Sequence, residues 1–102
     1  MRLFLVTLHR AGPSYDPSLV LEDQTGWAEH AAFMDGLVEA GFVVLGGPLE
    51  DDHRVVLAVA AESDDVVRRR LAEDPWHPSH LVVESIEPWT IRLDGTGRAG
   101  RG

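Results

Sequence analysis

The chain has 102 residues, 44% of them hydrophobic and 25% charged, the make-up of one small water-soluble domain with a modest core. It lacks cysteine, which excludes thiolate nucleophiles, zinc–thiolate and iron–sulfur centres and disulfides, and its formal charge of −8 argues against a nucleic-acid partner. No apolar run approaches the roughly 18 residues of a membrane span, so a cytoplasmic protein without membrane contacts is expected.

Leu3 to Leu8 reads as a first strand, with both alternating sets, Leu3/Leu5/Thr7 and Phe4/Val6/Leu8, largely apolar. A polar connection rich in turn residues, Ala11 to Pro17, follows it. Next comes a helix that carries WAEHAAFMDGL, with Asp23 or Thr25 as its expected cap and Gly41 just past its end. Phe42 to Gly46 is a second strand, and Gly46-Gly47-Pro48 at its end reads as a bend or as a loop that a ligand can approach. An acidic turn around Glu50-Asp51-Asp52 leads to a third strand, Arg54 to Ala60, again apolar on both faces. Ser63 caps a second helix, Asp64 and Asp65 suit its positive end, Arg68 to Arg70 suit its negative end, and Asp74-Pro75 stops it. The last strand is expected from about His80 to Leu93, bent at Pro88. Residues 1–94 thus form a single domain, and residues 95–102, a Gly/Arg tail with nothing to pack, are expected to be disordered.

The order β-α-β-β-α-β is the ferredoxin-like α+β pattern, a four-stranded antiparallel sheet with two helices on one face. Helices cover one face, yet the strands are apolar on two. The economical cover for the second is another copy of the chain, a homodimer joined through the sheet face.

One residue breaks the amphipathic logic. Trp27, Ala31, Met34, Leu37 and Val38 make an apolar stripe on the first helix, and His30 sits inside it. On the second helix Val67, Leu71 and Asp74 follow the same spacing, so the two helices are expected to bring His30 and Asp74 together as an acid–base pair. The plainer alternative remains open at this level: a histidine bonded to a backbone carbonyl, and an aspartate capping the turn at Pro75. Trp27, Met34, Gly46, Gly47, Pro48 and Trp76 are expected to wall a pocket for a small molecule. Trp89 is read as an anchor of the last turn or of the dimer contact. His77-Pro78-Ser79-His80 has two imidazoles but no assured third ligand, so no metal site is expected there. Phosphate-binding loops, dinucleotide fingerprints and nucleophile elbows do not occur in the sequence, and no cofactor is expected.

Taken together, the helical histidine in EHAAFMDGLVEAG, then FVVLGGPLEDD, then AESDDVVRRRLAEDPW and the closing IEPW resemble the YCII-related (YciI-like) family of small bacterial proteins. The resemblance runs over residues 2 to 93. It implies a ferredoxin-like fold, dimerisation in the manner of the dimeric α/β barrels, and a site in which His30 and Asp74 match the family's histidine and aspartate. Some relatives eliminate hydrogen chloride from a chlorinated lactone without a cofactor. Gly26 and Trp27 stand where relatives often carry an arginine, so a substrate carboxylate would need Arg2, Arg10 or Arg54 instead. The expected function is therefore a cofactor-independent enzyme of lyase or isomerase type acting on a small organic acid or lactone; the alternatives are a non-catalytic small-molecule-binding or regulatory dimer and, more remotely, cofactor-free oxidation of a phenol.

Overall fold

In the computed structural model, which describes residues 1–51 and 53–96, four strands form one antiparallel sheet and two helices pack against it. The strands are β1 (Arg2–Arg10), β2 (Val43–Pro48), β3 (Arg54–Ala61) and β4 (Leu81–Pro88), in the spatial order β2-β3-β1-β4. The helices are α1 (Trp27–Glu39) and α2 (Asp64–Leu71), and a single 3-10 turn, Leu21–Asp23, precedes α1. This is the ferredoxin-like α+β arrangement that the element order predicts.

Strand alternation sets the layers. Phe4, Val6, Leu8 and Arg10 of β1 are buried while the intervening residues are partly exposed. Phe4 pairs with Val59 and Val6 with Leu57 across β3, so these residues share one face. Leu37 from α1 and Val67 and Leu71 from α2 join them in one core, which puts both helices on that side. Each such side chain contributes roughly 1.5–3 kcal/mol of burial, and together they position everything in the site. The opposite face carries Leu3, Leu5 and Thr7 of β1 beside Ala60, Ala58 and Val56 of β3, and neither helix covers it.

Several boundaries differ from expectation, each for a local reason. Helix α1 is entered through Gly26, at φ 79°, without a side-chain cap; Asp23 belongs to the preceding 3-10 turn, and Thr25 uses its carbonyl to hold Trp76. Val38, expected in the buried stripe of α1, is exposed; His30 and Leu37 are buried there, and Trp27, Phe33 and Met34 are partly buried against the core. Strand β2 runs past Gly46, its expected end, to include Gly47 and Pro48; the three pair with Leu57, Val56 and Val55, and a side chain at Gly46 would collide with Leu57. The reversal comes later, where the Asp51 carboxylate accepts N–H bonds from His53 and Arg54 and one from the Arg54 guanidinium; these hold its pKa down to about 2. Strand β4 stops at Pro88 instead of running to Leu93, because β1, its neighbour, ends at Arg2 and proline has no N–H to continue the ladder. Trp89 donates its N–H to Leu3 O but leaves its side chain half exposed. Most of the expected tail, residues 97–102, lies outside the described residues.

Candidate active site

The chain segment after α2 builds the site. Ser63 caps α2 through a bond from Val66 N–H, and α2 ends at Leu71, three residues earlier than the spacing suggested. Asp74 therefore lies in the following turn rather than on the helix, its N–H donating to Leu71 O and its carbonyl accepting from His77 N–H. There its Oδ1 accepts the Trp76 N–H at 2.9 Å, the local turn-capping role open to an aspartate before proline.

The same carboxylate also reaches His30. Nδ1 of His30 lies 2.9 Å from Oδ1 and 2.8 Å from Oδ2 of Asp74, with both residues buried. An ionised carboxylate only accepts, so Nδ1 carries the hydrogen and Nε2 is the nitrogen left to act on a ligand. A single tautomer with a lone pair on Nε2 is what general acid–base chemistry requires of an imidazole.

Both residues line a cavity of about 460 Å³, a size that suits a small metabolite. Its wall is mostly apolar, with Leu21, Trp27, Met34 and Trp76 on the helix side and the edge strand from Val43 to Pro48 opposite. Each of the six residues expected to wall a pocket lies on it. Trp27 tilts toward both His30 and Trp76, at 5.9 and 5.8 Å between ring centres.

Of the three arginines considered for a substrate carboxylate, Arg10 alone is on this wall. It is buried at the end of β1, on the helix-facing side of the sheet. Arg2 is exposed beside Phe4, and Arg54 is held in the hairpin by Asp51 at 2.8 Å.

The roles of two contributors escaped the sequence reading. Gln24, nearly fully buried, accepts from Asp16 N–H and donates to the carbonyls of Asp16 and Leu19, which closes the connection before α1 and fixes Leu21 on the cavity wall. His80 is buried behind Trp76, its Nδ1 2.8 Å from the Ser79 hydroxyl. His80 directly precedes the apolar run Leu81-Val82-Val83, a weak signal, whereas Gln24 lies among polar residues and has none.

His77 lines the cavity, and among the described residues no group of three His, Asp or Glu side chains is placed to hold a metal ion. No helix of the described residues is long and apolar enough to cross a membrane. Comparison with protein-family models gives no match, and neither does comparison with curated proteins.

Proposed function

We propose that this protein is a cofactor-independent enzyme of the lyase or isomerase type, acting on a small organic acid or lactone. The observation that carries the reading is the buried contact of His30 Nδ1 with both Asp74 oxygens at the wall of an apolar cavity. In this reading Nε2 of His30 takes a proton from a carbon made acidic by an adjacent carbonyl; it then either returns the proton at another carbon, or keeps it while the C–H electrons form a double bond and a leaving group departs with its own bonding pair. Asp74 fixes the tautomer and favours the imidazolium that forms. Positioned proton transfer of this kind contributes about two to four powers of ten in rate, enough for an already activated carbon–hydrogen bond. Arg10 is the group for a substrate carboxylate, and the apolar wall takes the remainder of the molecule.

The resemblance to the YCII-related (YciI-like) family supports the same reading through the His30 and Asp74 motifs. The outer sheet face, where Leu3, Leu5, Val56 and Ala60 are only half-buried, suits a homodimer joined through it. A cytoplasmic setting suits an acidic chain without cysteine.

A screen of lactones and halogenated acids for ligands that raise the melting temperature, followed by turnover assays, tests this proposal. Turnover that is lost in His30→Ala supports the enzyme. Stabilisation by a ligand, lost in His30→Ala and without any turnover, overturns it in favour of a binding or regulatory module, a role the mostly apolar cavity would also suit.

A further inference from the structure

Trp76 touches both members of the pair. Its backbone N–H donates to Asp74 Oδ1 at 2.9 Å, and its indole stacks on the His30 ring with centres 4.1 Å apart and planes 7° from parallel. The indole Nε1–H donates to Thr25 O at 2.8 Å, which ties the turn after α2 to the chain just ahead of α1. His80 stacks on the same indole, at 4.8 Å and 17°. The backbone N–H groups of His80 and Leu81 both donate to Trp76 O, so the stack is anchored at its base as well.

The His80 ring is unusual in its own right. It is 4% exposed, and its Nε2 is buried without a hydrogen-bond partner among the described residues, a condition that buried polar atoms ordinarily avoid. Burial holds its pKa below the ordinary imidazole value, His30 pushes it the same way and Asp74 opposes. A neutral ring lies flat on the indole without adding a second charge beside the pair.

We propose that Trp76 and His80 are positioning residues for the His30–Asp74 pair: Trp76 fixes both partners, and His80 holds the indole in the orientation this needs. The inference rests on the reading of His30 and Asp74 as the working pair. Its test needs no turnover, so the two fail separately.

The experiment records the ring nitrogens of His30 by long-range ¹H–¹⁵N correlation at neutral pH, in the intact protein and in folded Trp76→Leu, Trp76→Phe, His80→Leu and His80→Phe variants. The intact protein should give one tautomer with hydrogen on Nδ1, and its ring protons should show the shielding of a stacked indole. Both leucine variants should lose part of that shielding and show a mixture of tautomers, whereas both phenylalanine variants, which keep an aromatic face, should retain the single tautomer. Unchanged His30 signals in either folded leucine variant would overturn the proposal. Should Trp76→Leu not fold, the contrast between His80→Leu and His80→Phe decides: equal spectra refute the role of His80, and a leucine-only change supports it.

Discussion

Asp74 presents both carboxylate oxygens to one nitrogen of His30, at 2.8 and 2.9 Å, while Oδ1 also accepts the Trp76 N–H. One side chain thus caps a turn and orients an imidazole. Its two duties respond differently to substitution. Asp74→Ala removes every side-chain bond and leaves the His30 and Trp76 N–H groups without their acceptor, so it should cost more than about 2 kcal/mol of stability. Asp74→Asn keeps an acceptor for either N–H and should cost about 1–2 kcal/mol, yet lower turnover by roughly a hundredfold, because the charge that favours the imidazolium is gone. Urea unfolding and turnover measured on both variants separate the two duties; equal losses in both assays would argue that Asp74 is structural only.

Gly12 should prove far less replaceable than Gly47. Gly12 has φ 115°, and a Cβ there would strike the carbonyl oxygens of Pro78 and Ser79, the backbone that carries His80. Backbone cannot yield as a flexible side chain can, so Gly12→Ala should destabilise by more than about 2 kcal/mol. A Cβ at Gly47 meets nothing within 4 Å, and Gly47→Ala should change stability by less than about 1 kcal/mol. Thermal unfolding of the two variants side by side checks this.

Stability should fall on mild acidification, and His80 should account for part of the slope. In the unfolded chain an imidazole takes a proton near pH 6.5, whereas burial and the neighbouring His30 oppose this in the folded protein, against the pull of Asp74. The unfolded state therefore binds more protons below that value, and the stabilising contribution, complete above it, is lost as the pH falls toward the lowered folded value. His80→Phe should flatten the stability profile below about pH 6.5. Unfolding free energies across pH 5–8 test it, and an unaltered slope would show that His80 titrates normally.

The outer sheet face should hold two copies of the chain together. Sedimentation should give twice the 11.2 kDa chain mass, and Leu5→Glu, which places a carboxylate at the centre of that face, should give single chains with an unchanged fold. A single-chain mass for the unaltered protein at micromolar concentration would remove the dimer.

The element order and the core were legible because period and alternation record burial directly: Phe4, Val6 and Leu8 fall inward, and Leu37, Val67 and Leu71 meet them. His30 and Asp74 were legible as polar residues at apolar spacing. The helical spacing that singled out Asp74 proved incidental, since the residue sits in a turn beyond α2. What escaped depends on contacts remote in sequence. Leu57 occupies the space that a side chain at Gly46 would need, a reason for glycine that no local pattern records. Gln24 and His80 earn their places through partners whose proximity only the fold creates.

His30 and Asp74 stand 44 positions apart, joined across α1 and the turn after α2. A nascent chain that has emerged only as far as β3 has the imidazole without the carboxyl group that orients it, so the pair comes into being with the last third of the fold. Any compound that binds there clasps the early and late halves of the chain together. Its protection against amide exchange should accordingly reach beyond the cavity into the sheet, since loosening either half would release it.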